Sequence, residues 1–588
     1  MAAVFIPAAL AGLFLAFQIT YKWEVPFIKT ILKWHVETGI AFAFTGIFHF
    51  LWHFSYFFYR YREQIPLQES EKFPALSVQK YSINLFLTGF VSTSVQLIMM
   101  REMMNVAGGY ELIAGTFLAS WLIGSAAGSF IAKRSQLNDI LKINIIFATS
   151  PVVSLALLFL LKRVFFISGE SPGFLAGMIY TLIVLLPCTF ISGFTFIRLL
   201  TLSGESGTLT SGKSFSIETT GGVIAGITVS ASGAGILNNY QLFLVVLLIF
   251  TGFLIISSSL KNSYRIPGAV ITGVAILLTL ISSPDKLFRQ LLLPGIKIEK
   301  TTDTPYGNIT EGSYGGEKNL YYDHRLLRWN NDEAEREENI HYAMLQHSEP
   351  KDILLVSGDI RSNLPELRKY NIRSVTFVER DPVLAKRYGP GSGEPDKLIS
   401  TASMDALRFI RKTREKFDVI IVNIPPPSTL MLNRFYTTEF FTAARNRLNT
   451  GGVFMCSPGS GSNYFNAESA ILYSSVFNSI SSVFRHVIPI VGNKLYYIAS
   501  DDSLTTSISS RVSSVGISNS YVNGNYLSDD LIKLKSDEMI SIIDRKIRQN
   551  TLLFPVACFH FQNFRMTMER QQRIPSLLLI IIVFLVPL

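Results

Sequence analysis

Three groups of residues have the type and spacing to do chemistry. The first is acidic and lies late in the chain. DILLVSGDIRS (352–362) is an apolar run that stops on a polar turn, and SVTFVERD (374–381) is one that stops on acids. In a parallel sheet with such strand ends, the turn after the first strand lets a nucleotide approach the backbone and the acid after the second holds a ribose. The turn SGD and the acids of VERD take those places. The second group is histidine. His35, His49 and His53 share one aromatic-rich segment, WHVETGIAFAFTGIFHFLWHFSYFFYR. A step of 14 residues returns to within roughly 40° of the same helix face, a step of 18 returns onto it, and His35 to His49 rises about 21 Å. That spacing suits two haem b groups stacked across a membrane, since neutral imidazole is a good iron ligand. The second ligand of each would come from a partner chain or a methionine such as Met99 or Met103, because His324, His341, His347, His486 and His560 all lie in the polar half. The competing reading is interfacial histidines in an aromatic belt. The third group is charge within apolar segments: Arg101, Glu102, Glu111 and Glu218. Such groups line sites in membranes, although all four fall at segment ends, where snorkelling or pairing near headgroups accounts for them.

Composition says what must position these residues. The chain has 588 residues, 48% hydrophobic and only 16% charged, against about a quarter charged in ordinary soluble proteins. The charges are uneven: residues 1–283 hold 28 and the remainder holds 68. A membrane half therefore precedes a water-soluble half. The net charge of +10 divides as +6 and +4, too little in either half to suggest nucleic acid. Cys188, Cys456 and Cys558 are far apart and give neither a disulfide framework nor zinc spacing.

A bilayer-spanning helix needs about 20 mostly apolar residues. Candidates are 3–20, 36–59, 81–100, 110–132, 141–161, 173–197, 216–233, 240–260 and 266–283. The first, without a basic n-region, reads as a helix rather than a cleaved signal. The Gly-rich seventh would let neighbouring helices approach closely. Residues 574–588 are apolar but too short to cross, and read as an interfacial tail or the start of a further segment. Loops after even-numbered segments carry eleven basic residues and those after odd-numbered segments six. With nine segments, that bias leans the soluble half to the extracytoplasmic side of a bacterial inner membrane. The lipid bilayer is then the first partner, with partner membrane subunits a second class.

Residues 284–345 read as a β-rich lobe followed by an acidic helix, and 346–565 as strands alternating with helices. That alternation implies a Rossmann-like, doubly wound parallel sheet with its crevice at the strand carboxyl ends.

The residues also resemble a family, the bacterial membrane proteins that fuse a transporter-like bundle to a spermidine synthase domain. The resemblance rests on QLIMMREMMNVAGGYELIAGTFLASWLIGSAAGS in the first half. In the second it rests on TPYGNI, NLYYDHRLLRWNNDE, VTFVERDP, MDALRFI, FDVIIVNIPPPST and LNRFYTTEFF. It implies a Rossmann-like fold of the S-adenosylmethionine-dependent methyltransferase type, with decarboxylated S-adenosylmethionine as co-substrate. By resemblance Glu379 binds ribose, Asp405 meets adenine, and Asp332 and Glu333 match an Asp-Glu pair. Other positions depart from the family. Its six-residue Gly-rich turn falls on 357–362 and keeps Gly358, with Ile360 and Arg361 expected where bare backbone should meet the nucleotide. A family Gln becomes Gly307, and a Tyr-His-Glu becomes Arg336, Glu337 and Glu338. The catalytic Asp after the fourth strand is Asn423, and a second Asp of that loop is Pro426.

The sequence thus predicts a membrane-anchored, catalytically degenerate spermidine synthase-like scaffold or ligand-sensing subunit that binds S-adenosyl nucleosides poorly. Two other readings compete: a haem-b subunit of an electron-transfer complex, and an aminopropyltransferase acting on an unusual substrate.

Overall fold

The computed structural model describes residues 27–52, 75–107, 109, 111–166, 174–233, 236–257, 262–282, 284–329, 332–388, 398–461 and 465–569, with short helical pieces between 7 and 15. His53 and the segment 574–588 lie outside them.

The first region is helical. Its long helices are α1 (Ile28–Trp52), α2 (Ala75–Ala107), α3 (Glu111–Ala132), α4 (Ile140–Phe165), α5 (Phe174–Glu205), α6 (Ser211–Ser232), α7 (Asn239–Ser257) and α8 (Asn262–Ile281). Among the described residues, five of these are long and apolar enough to cross a membrane: within α2, α3, α4, α5 and α7. The apolar run 266–283 continues, across a 68° bend, into a short helix α9 (Pro284–Leu292) that the sequence had assigned to the lobe. Leu122, Ile227 and Ile271 are 66–70% exposed on the outer faces. Inside, Val95, Met99, Met103, Phe117, Tyr180 and Phe250 form one core.

Glycines set the closest helix contacts. A methyl group at Gly221 would lie 2.1 Å from the Phe86 carbonyl oxygen, and one at Gly89 would lie 1.9 Å from that of Glu218, which locks α2 to α6. Gly128 meets the Phe190 carbonyl oxygen at 1.8 Å in the same sense, locking α3 to α5. Backbones this close maximise van der Waals contact where no hydrophobic force joins helices.

Next comes a four-stranded antiparallel sheet in sequential order: β1 (Lys297–Thr304), β2 (Gly307–Tyr314), β3 (Glu317–Tyr322) and β4 (Arg325–Trp329). Two-residue turns join β2 to β3 through Gly315-Gly316 and β3 to β4 through Asp323-His324. All four turn residues have positive φ, as the twist of a tight hairpin requires.

The last region is a seven-stranded sheet ordered β10-β11-β9-β8-β5-β6-β7. Its strands are β5 (Asp352–Val356), β6 (Ser374–Val378), β7 (Ile399–Ala402), β8 (Phe417–Val422), β9 (Leu448–Ser460), β10 (His486–Val491) and β11 (Lys494–Ser500). β5 pairs in parallel with both β6 and β8, so the strand order reverses beside it. Both faces of the centre are covered. Leu354, Val356, Ile420 and Val422 pack on one side, and Ile353, Leu355, Val419 and Ile421 on the other. Burial on both faces is why these strands read as unbroken apolar runs. The sheet is not wholly parallel. HVIPIVGNKLYYIAS folds as a β10–β11 hairpin about Gly492-Asn493, and β11 runs antiparallel to β9. Too few residues lie between these two strands for the crossover that parallel pairing needs.

Candidate functional site

The crevice opens where the order reverses, at the carboxyl ends of β5, β6 and β8, where open sheets of this kind bind ligands. The turn after β5 carries Ser357 at φ 60° and Gly358 at φ 88°. Ser357 thus adopts a backbone that favours glycine. A methyl group at Gly358 would lie 3.1 Å from Asn423 Cβ, so the Asn423 side chain stands directly against the turn. Its amide Nδ2 is buried without a hydrogen-bond partner.

Ile360 corrects the sequence reading. Its side chain is fully buried among Leu355, Phe377 and Leu367 beneath the sheet, and does not obstruct the crevice. As the first residue of the helix Ile360–Leu367, it turns towards the sheet while Asp359 caps that helix, accepting from the backbone N–H of Arg361 at 3.0 Å.

The crevice acids are engaged. Glu379 accepts from Ser357 Oγ at 2.6 Å and from the Asp381 N–H at 3.0 Å, and burial pushes its carboxyl upward. Asp405 caps the helix Ala406–Lys412 and lies 2.5 Å from the Arg434 guanidinium. Asp359 pairs with Arg328. Arg328 also lies 3.5 Å from Asp332 and donates to Ser362 Oγ at 2.5 Å. Asp332 has Arg336 at 3.3 Å as well, and burial outweighs both cations in raising it. Glu333 is half exposed and accepts from Ser520 Oγ at 3.1 Å. Arg328 was not singled out from the sequence, and its four-residue step to Asp332 was the available signal.

The two glutamates after Arg336 are scaffold. Glu337 accepts three backbone N–H groups at 2.8 Å, from Ser520, Tyr521 and Val522. Glu338 accepts from the Asn493 N–H at 2.8 Å within the β10–β11 turn, and burial raises it to about 7. A methyl group at Gly307 would lie 2.6 Å from Asp323 Oδ1, so the family's Gln has no room there. The loop after β8 is pinned: the buried Tyr436 hydroxyl lies 2.9 Å from the Ile424 carbonyl oxygen and 2.7 Å from that of Ser457.

The charges near the helix ends are paired across the junction with the lobe and the crevice domain. Glu102 is 1% exposed, in the last two turns of α2. It pairs bidentately with the fully buried Arg289 of α9 and accepts from the Tyr240 hydroxyl at 2.7 Å and from Asn239 Nδ2 at 3.1 Å. Arg289 also donates to His324 Nε2 at 2.9 Å, and burial together with this cation holds that imidazole neutral. Asp303 of β1 accepts from the Asn239 N–H at 2.8 Å. Arg101 donates to the carbonyls of Gly233 and Thr304, and Thr304 Oγ1 donates to Asp381 Oδ2 at 2.6 Å. Glu111 Oε1 accepts from the Leu430 N–H at 2.7 Å. These residues join the helices to the crevice domain. Glu218 is half-buried in α6, with Thr219 Oγ1 at 3.5 Å.

Of the three histidines, His35 and His49 lie on α1, and His35 Nδ1 is 2.8 Å from the Ala8 carbonyl oxygen. Met99 and Met103 are buried in the helical core. Among the described residues no group of three or more His, Cys, Asp or Glu is placed to hold a metal ion.

Comparison with known proteins gives the class. Residues 333–506 match the spermine/spermidine synthase domain. The polyamine aminopropyltransferase of Oceanobacillus iheyensis is 26% identical over 277 residues, 43% of this chain and 51% of that protein. Polyamine aminopropyltransferase 2 of Aquifex aeolicus is 28% identical over 216 residues, 35% of this chain and 42% of that protein. The chain thus spans about half the length, or less, of these curated relatives. The spermidine synthase structure from Thermotoga maritima is 17% identical, covering 46% of this chain and 88% of that one, with a TM-score of 0.30. Residues 333–506 thus match a spermine/spermidine synthase domain on a Rossmann-like sheet, following a region of apolar helices.

Proposed function

We propose that the chain is an integral membrane protein whose spermidine synthase domain no longer transfers an aminopropyl group to a diamine and serves as a ligand-binding or scaffold module. The observation that carries this reading is Asn423. It stands at the end of β8, against Gly358, where the family keeps its catalytic carboxylate. An amide cannot take the proton of an attacking amine or balance an ammonium charge. Losing one partner of a buried charge pair costs about 2–5 kcal/mol. The paired state of Asp332, Asp359 and Asp405 supports the same reading, because a diamine would have to displace an arginine from each.

The pinned loop Asn423–Ser428, with its three consecutive prolines, suits a fixed surface better than a lid that closes over substrate. The junction also bears on the membrane side. The lobe meets the helix ends at Arg101, Gly233 and Asn239, on the face whose loops carry the smaller basic count, whereas Arg198 hydrogen-bonds the Leu137 carbonyl on the opposite, more basic face. By the positive-inside rule this supports a soluble half outside the cytoplasm. The test of the function is aminopropyl transfer from decarboxylated S-adenosylmethionine to putrescine by the purified full chain. No spermidine above a heat-killed control is expected, and Asn423→Asp alone is not expected to restore it.

A further inference from the structure

The polarity of the crevice is inverted relative to what a diamine needs. Around it, three buried atoms without a hydrogen-bond partner are N–H donors: Asn423 Nδ2, Arg336 Nε and Arg434 Nε. The acceptor in the same condition, Asp405 Oδ2, lies 2.5 Å from the Arg434 guanidinium and so has its counter-charge. The remaining carboxylates are spoken for by Ser357 and Asp381 at Glu379, by Arg328 at Asp359, by Arg328 and Arg336 at Asp332, and by Ser520 and, at 4.0 Å, Arg336 at the half-exposed Glu333. Arg380 completes the rim. It stacks 4.2 Å over the Tyr306 ring, a cation on an aromatic face.

A buried donor left unpaired is costly, and a ligand that supplies an acceptor recovers that cost, whereas one that supplies another donor does not. An ammonium group carries only donors and a positive charge. Placed beside Asn423 Nδ2 it would meet like polarity. A carboxylate carries four lone-pair sites and matches amide and guanidinium N–H groups, with the charge assistance that strengthens such bonds.

The position of Asn423 says which end of a ligand it reads. In the nucleoside-binding arrangement that the family resemblance implies, Glu379 faces the ribose and Asp405 the base. Asn423, at the end of β8 and against the Gly358 turn, is left to face the substituent on the ribose 5′ side.

We propose that this crevice selects a nucleoside whose 5′ side chain bears a carboxylate, the class of S-adenosylmethionine with its amino-acid end intact, over the decarboxylated form that ends in an ammonium alone. Asn423 Nδ2 is the specificity-determining donor. The inference rests on the reading of the crevice as a nucleoside site without diamine chemistry, but the two fail separately, since one is read by turnover and the other by an order of affinities.

The experiment is calorimetric titration of the full chain in detergent with three probes: S-adenosylmethionine, decarboxylated S-adenosylmethionine and methylthioadenosine, which has neither end group. The expected order places S-adenosylmethionine at least about tenfold ahead of its decarboxylated form, and Asn423→Ala is expected to narrow that ratio while leaving methylthioadenosine unchanged. The melting temperature of the variant, matched to that of the parent, shows that the fold is kept. Should Asn423→Ala fail to fold, Asn423→Asp supplies the reading, because a carboxylate there must favour the decarboxylated probe. Equal affinities, a preference for the decarboxylated probe in the parent protein, or no binding of any probe overturns the proposal.

Discussion

Removing Arg289 should damage the protein more than removing Glu102, although the two form one ion pair. Arg289 is fully buried, and its guanidinium faces Glu102 bidentately, with Asp303 at 3.5 Å and Asp285 at 3.9 Å. In Glu102→Gln the cation still has two carboxylates within 4 Å, and Gln can accept from Tyr240 in place of the acid. In Arg289→Met three buried carboxylates face one another with their shared cation gone. Breaking a buried pair by deleting one partner costs about 3–5 kcal/mol. Arg289→Met should therefore reach the top of that range and Glu102→Gln fall below it. The double variant Glu102→Leu/Arg289→Met should recover part of the loss, because a well-packed apolar pair avoids the desolvation both ions suffer. The assay is thermal unfolding of the purified chain in detergent, with limited proteolysis between residues 282 and 297 as a local readout of the junction. If Glu102→Gln proves the more harmful, or if the double variant is as unstable as the sum of the singles, the pairing does not hold the junction and the reasoning is wrong.

Glu338 makes stability pH-dependent. Its folded value of about 7 exceeds the roughly 4.3 of an exposed glutamate. Its contribution is therefore complete below about pH 4 and lost as pH rises through about 7, up to roughly 4 kcal/mol in all. Glu338→Gln should flatten that dependence, and unfolding curves of both proteins between pH 4 and pH 8 check it. Gly128→Leu should separate α3 from α5, since even a methyl group there would lie 1.8 Å from the Phe190 carbonyl oxygen. Loss of folded protein by size-exclusion in detergent is the expected result, with Gly273→Leu, where a methyl group meets nothing within 4 Å, as the tolerant control. A reporter that is active only in the cytoplasm, fused after residue 283, should be silent. A signal would put the soluble half on the cytoplasmic side.

The strands of the crevice domain were legible because burial on both faces leaves unbroken apolar runs, as in Asp352–Val356 and Phe417–Val422. Their chain order then located the crevice, and the family resemblance supplied the places of Gly358, Glu379 and Asn423 within it. What the sequence hid was partnership at a distance. Glu102 and Arg289 are 187 residues apart, and no local pattern pairs them. The visible signal was the short helix PDKLFRQLL, whose Asp285 and Arg289 sit one turn apart and are both buried. Ile360 misled for a related reason. A bulky residue in a nucleotide turn reads as an obstruction, but its direction depends on the helix it begins, and here it turns into the core. Glu337 and Glu338, which stand where the resemblance expects part of a Tyr-His-Glu, satisfy backbone N–H groups of distant loops.

The central claim is that this spermidine synthase domain has kept its fold and lost diamine chemistry, and turnover tests it most directly. Purified full-length protein, given decarboxylated S-adenosylmethionine and putrescine, should form no spermidine beyond a heat-killed control, with Asn423→Asp equally silent because Asp332, Asp359 and Asp405 stay paired to arginine. Sustained spermidine formation by the unmodified protein, well above that control, would contradict the account and make the domain a working aminopropyltransferase.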